Sequence, residues 1–336
     1  MTDVARRNIA ADYLRVISIL YIVGIWHLFG EYGHPADWLF KNRPAEHITI
    51  LSLAIFCLLS GFFLAGHRIS SLADARQFYA SRFLAIYCPL ALASLLFLIV
   101  GLSHSNATIK GMFLIGMLYE PSAHTLWFAN MIVLFYLLAP ALIALCGRTS
   151  AFLAFCGLVL VVLGTFEYAT GWLDARLILY FPVFAAGILL GGRDILTDMR
   201  TSLAAAALAV IGICISAGVD VSAIEFDLRL IPWAVGSAVC IASVTFTIGG
   251  NWKGTKLLAF LAEASFFIYL LHRPIYKIVT RLIPLQSPWA ITAELALFAL
   301  PLTIALAWLA QKTYTQLLRR VARVVGKQSF KSRRRQ

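Results

Sequence analysis

Eleven residues, Val16 to Trp26, separate Arg15 from His27 in the stretch DYLRVISILYIVGIWH, and only Ser18, Tyr21 and the Trp26 indole among them carry polar side-chain atoms. An arginine offers a planar fork of donors to phosphate or carboxylate. A histidine accepts and returns a proton near neutral pH. Asp12 stands three residues before Arg15. Laid on the apolar segments of the chain, Ser60, Arg68, Arg76, Arg82 and Glu263 fall toward the Arg15 end, and His34, His124, Trp127 and His272 toward the His27 end. Spacing alone leaves a plainer reading open. Arg15 can be an arginine snorkelling to an interface, and the histidines polar groups at a wet one. In an unbroken helix Arg15 and His27 are ~18 Å apart. No single substrate atom meets both, whereas a long extended substrate reaches both.

The elements that must position these residues are apolar helices. The chain has 336 residues, of which 61% are hydrophobic and 13% charged, about half the charged fraction of a soluble domain. That excludes an ordinary soluble enzyme and predicts an all-α, polytopic membrane bundle. Ten apolar segments suffice: 11–29, 46–66, 82–102, 124–146, 150–168, 176–192, 202–218, 229–249, 257–276 and 289–311. The intervening 104–120 is too short to span and reads as re-entrant or interfacial. The six cysteines form no CxxC pair and no metal-ligand spacing, so they read as small hydrophobes and no metal is expected. Arg6 and Arg7 before an apolar run imitate a signal peptide, but no small-residue cleavage site follows, and the first helix is expected to be retained.

Orientation follows from basic residues. With the N-terminus inside, twenty of the 28 Lys and Arg face the cytoplasm, and ten spans place both termini there. Residues 1–312 read as the membrane domain and 313–336 as a basic cytoplasmic tail drawn to anionic lipid heads. Without an aromatic reading platform beside it, the charge does not point to nucleic acid.

Several segments resemble the acyltransferase-3 family, bacterial inner-membrane enzymes that move acyl groups, often acetyl, onto sugars of surface polysaccharides. DYLRVISILYIVGIWH resembles the family's opening helix, and FCLLSGFFL its F-x-L-S-G-F segment. LWFANMIVLFYLLAP, YFPVFAAGILLG and SFFIYLLHRP (Ser265 to Pro274) resemble its later signatures, in order. The resemblance implies a multi-pass protein of the bacterial inner membrane that takes an acyl group from cytoplasmic acyl-CoA to a hydroxyl of a sugar or glycan. It implies that Arg15, Arg68, Arg82 and Ser60 hold the donor and that His27, Arg15 and His272 are catalytic. Trp127, Tyr136 and Asp12 would then contact substrate.

Three departures stand out. The family places ten residues between the arginine and the histidine, and this chain has eleven. In a straight helix the extra residue turns His27 about 120° from Arg15, and a π-bulge or unwinding near Gly24 would restore the face. Ile132 and Val133 stand where many members carry glutamates, and Ala85 where an arginine is frequent, leaving Arg82 as its nearest equivalent. A transporter or flippase is the rival reading, because buried ionisable residues also mark transport pathways. A scaffold subunit would need no site at all. Turnover of labelled acetyl-CoA separates the enzyme from both.

Overall fold

The computed structural model describes residues 8–30, 42–119, 125–193, 195–219 and 227–333, with side chains as far as residue 320. His34 and His124 lie outside the described residues. Among the described residues, ten helices are long and apolar enough to cross a membrane. They are α1 (Ile9–Phe29), α2 (Arg43–Leu64), α3 (Leu72–Val100), α5 (Trp127–Leu145), α6 (Thr149–Thr170), α7 (Arg176–Arg193), α8 (Met199–Ser216), α9 (Leu228–Asn251), α10 (Lys256–Leu282) and α11 (Pro288–Arg320). The short α4 (Ser105–Met112) lies between α3 and α5. All ten expected segments form. Helix continues past residue 312 to Arg333, so the stretch expected as a tail extends α11.

α1 begins at Asn8, whose side chain accepts the Ala11 amide and caps the first turn. It packs against α2, α9 and α10. Ala11, Leu14, Ile19, Ile22 and Val23 are buried on its inner face, while Ile17 faces outward. Outward-facing Leu92, Ile99, Val161, Leu203 and Leu297 continue that apolar surface, which suits contact with lipid. α6 is peripheral and buries only Phe152 fully.

Close helix crossings are made by glycine. α2 and α7 meet with backbones touching: a Cβ on Gly61 would collide with the Phe184 carbonyl oxygen, and one on Gly187 with that of Leu58. α8 and α9 cross in the same way at Gly212 and Gly236. Small residues at such crossings let dispersion hold helices together where no hydrophobic effect operates between them. Gly187→Val is therefore expected to destabilise the protein by about 1–3 kcal/mol or more through overpacking, read as a lower melting temperature in detergent. An unchanged midpoint would contradict this crossing.

Polar ties fix the other end of α2. The Arg43 guanidinium donates to the Ser216 and Val219 carbonyls, and His47 Nε2 lies 2.8 Å from the Ser216 hydroxyl. Trp233 Nε1 donates to the His47 carbonyl at 3.1 Å. The short segment after α3 folds back along it, because Tyr87 donates to the Met112 carbonyl at 2.6 Å.

Candidate functional site

Among the described residues, three helices are widened by single π-turns: Ile22–Trp26 in α1, Phe83–Tyr87 in α3 and Leu295–Ala299 in α11. The first contains Gly24 and lies between Arg15 and His27. One residue absorbed by a π-turn makes twelve steps rotate as eleven, so His27 returns to within ~20° of the Arg15 face. The eleven-residue spacing is accommodated.

At the Arg15 end lies a cavity of about 320 Å³ enclosed by α1, α2, α3, α5 and α10. Arg15, Ser60, Tyr136, Glu263, Phe128 and Tyr269 are among its lining residues. Arg15 lies 3.9 Å from Asp12, which is buried, and its guanidinium stacks 4.7 Å from the Phe63 ring. Its side chain remains one-third exposed, so it can meet a ligand. The Tyr136 phenol faces the Ser60 hydroxyl, with Arg15 and Arg82 near enough to act on it electrostatically.

Tyr136 is also the wall of a second cavity, about 380 Å³, lined by Arg82 and by Phe83, Tyr87 and Phe113. Arg82 reaches His67 Nε2 at 3.1 Å, and its buried Nε has no hydrogen-bond partner. Arg15, Ser60, Tyr136 and Arg82 are therefore brought together around one phenol. Arg68 is not: it is exposed after α2 and lines neither cavity. Arg15→Lys keeps the charge but loses the fork. A charged hydrogen bond is worth about 1.5–3 kcal/mol, so an anionic ligand gripped by that fork is expected to bind ~10- to 100-fold more weakly to the Arg15→Lys variant. Unchanged affinity would show that Arg15 holds no ligand.

At the other end the His27 and His272 rings lie 5.0 Å apart, tilted by 35°. His272 is fully buried. Its Nδ1 is 2.7 Å from the Tyr269 carbonyl, so Nδ1 carries the proton and the lone pair is on Nε2. That nitrogen has no hydrogen-bond partner. His27 Nδ1 is 3.5 Å from Arg273 Nη2, a donor only, which leaves the His27 proton on Nε2. Thr125 Oγ1 and both amide atoms of Asn130 are likewise buried without partners. Such groups are what a bound hydroxyl compound or water would satisfy.

The helix that carries His272 runs past residue 276, where the expected segment ended. α10 continues to Leu282, ten residues or ~15 Å beyond His272, and Arg281 donates to the Val100 carbonyl at its far end. Arg273, Lys277 and Arg281 interrupt the apolar run and hide this extension from a hydropathy reading. The Tyr269 phenol donates to the Thr125 carbonyl and so ties the start of α5 to α10. Tyr269, which lines the cavity together with Phe128 at a ring distance of 5.9 Å, also borders the His272 ring at 6.0 Å.

Trp127 lies beside the cavity and does not line it. Its face carries the Arg176 guanidinium at 3.8 Å. Arg176 is held by Asp174 through bonds of 2.8 and 2.6 Å, and both residues are buried. Hydropathy alone places Arg176 at the edge of an apolar segment and does not pair it with Asp174. The signal was there: opposite charges two apart in DAR, directly before an apolar run.

Ten helices long and apolar enough to cross a membrane, with ionisable side chains facing one another among them, define a polytopic membrane protein. The acyltransferase domain of the acyltransferase-3 family matches residues 8–312, and the chain belongs to that family: it is a membrane acyltransferase. No curated protein and no solved structure matches it.

Proposed function

We propose that this acyltransferase moves an acyl group, in the first instance acetyl, from acyl-CoA bound at the Arg15 end to a hydroxyl of a sugar or glycan brought to the His27–His272 pair. The observation that carries the reading is the π-turn of α1, which sets cation and imidazole on one face of one helix about 18 Å apart. An extended phosphopantetheine has that order of length. Arg15 and Arg82 offer the donor phosphates charge-assisted hydrogen bonds, while Ser60 and Tyr136 flank the entering arm.

The histidine pair supplies the base. The acceptor oxygen attacks the thioester carbonyl as an imidazole nitrogen takes its proton. The C–S bond breaks, and the imidazolium returns the proton to the thiolate, giving ester and free CoA. The basic-residue bias puts the Arg15 end in the cytoplasm, where CoA is found, and the membrane is that of the bacterial cytoplasm.

Labelled acetyl-CoA with purified protein tests the reading: release or transfer of acetate that depends on His27 supports it. Specific binding of a glycan with no turnover of acetyl-CoA, or of a longer acyl-CoA, would return the protein to a carrier role.

A further inference from the structure

A π-turn has a cost in backbone bonding. His27 donates its amide to the Ile22 carbonyl, five residues back, so Val23 loses the partner that an α-helix would give its carbonyl. Val23 is fully buried, and no water reaches that oxygen. The Tyr276 phenol, from α10, donates to it at 3.1 Å. Tyr276 is itself buried and stands one turn beyond His272, its ring 5.9 Å from the imidazole. The same device recurs in α3. There Cys88 donates to the Phe83 carbonyl, and the displaced Leu84 carbonyl takes the Tyr314 phenol from α11. Two π-turns, each preceded by a cation of the donor end, are thus each closed by a tyrosine from a neighbouring helix.

We infer that Tyr276 is a positioning residue for the transfer reaction: by bonding the Val23 carbonyl it holds the π-turn that brings His27 onto the face of Arg15. This rests on His27 acting in the reaction. Without the phenol, the buried carbonyl favours return to regular α-helix, and an eleven-residue spacing then swings His27 about 120° away. The requirement for Tyr276 therefore follows from the extra residue. Removing that residue removes the requirement.

The experiment uses the full-length protein and [¹⁴C]acetyl-CoA turnover, with three changes: Tyr276→Phe, deletion of Ile25, and both together. Ile25 lies in the π-turn with its side chain outward, so its loss leaves the packed face intact. Tyr276→Phe is expected to lower kcat at least tenfold, with the KM for acetyl-CoA within twofold. The Ile25 deletion is expected to retain at least a third of the activity. In the deletion background, Tyr276→Phe is expected to change kcat less than twofold. An equal loss in both backgrounds would make Tyr276 merely structural, and full activity of Tyr276→Phe would also overturn the inference. An Ile25 deletion that is folded but inactive would overturn it as well. If that deletion gives no folded protein, deletion of Gly24 within the same turn carries the comparison. Wild-type turnover by His27→Ala would instead defeat the underlying assignment of His27, independently of Tyr276.

Discussion

Replacing His27 with alanine is expected to lower acetyl transfer by about 10²–10⁴-fold, the range contributed by a positioned general base. His272→Gln should cost a comparable factor, since the amide can still donate to the Tyr269 carbonyl but supplies no imidazole lone pair. The two rings are 5.0 Å apart. If they act as one unit, the double variant is no worse than the more damaged single one, because groups that act together are grossly non-additive. His27 is only half-buried, so its truncation should leave the melting temperature within a few degrees. Multiplicative losses would make the two histidines independent, and most of the activity surviving in His27→Ala would end its role as a base.

The sidedness of the reaction should be all or none. In sealed vesicles of known orientation, acyl-CoA is expected to support transfer only when present at the Arg15 end, and the acceptor only from the opposite face. The physical ground is charge and reach. Arg15 and Arg82 gather at one end, and the imidazoles stand ~18 Å further along α1. A molecule as highly charged as CoA does not cross the apolar remainder, so the proposed route requires that only its acyl-bearing arm make the passage. Because His272 lies ~15 Å short of the end of α10, the acceptor must enter the bundle to meet it. Equal transfer with both substrates confined to the Arg15 side would sink this arrangement.

Local sequence was enough for the bundle and for part of the site. Runs of about 20 apolar residues leave a backbone no option but the helix when it must satisfy its own hydrogen bonds in lipid, and all ten spans form. Arg15, Ser60 and Tyr136 were legible as polar groups in such runs, and they do meet at one cavity. The helical segment 104–120 was legible as too short to cross, and it folds back on α3.

What the sequence by itself determined, then, was the class of structure and the kinds of side chain available to it. Tertiary structure decided where those side chains stand. The length of α10 was hidden because Arg273 and Arg281 read as interface residues, and only contacts to His27 and the Val100 carbonyl show them accommodated within the helix. Arg176 became a buried partner of Asp174 beneath Trp127 only once α5 and α7 were packed. Most of all, the face on which His27 lies was undecided by an eleven-residue count. A π-turn and an α-turn differ by one carbonyl without a helical partner, and whether that carbonyl can be tolerated depends on a phenol 253 positions away.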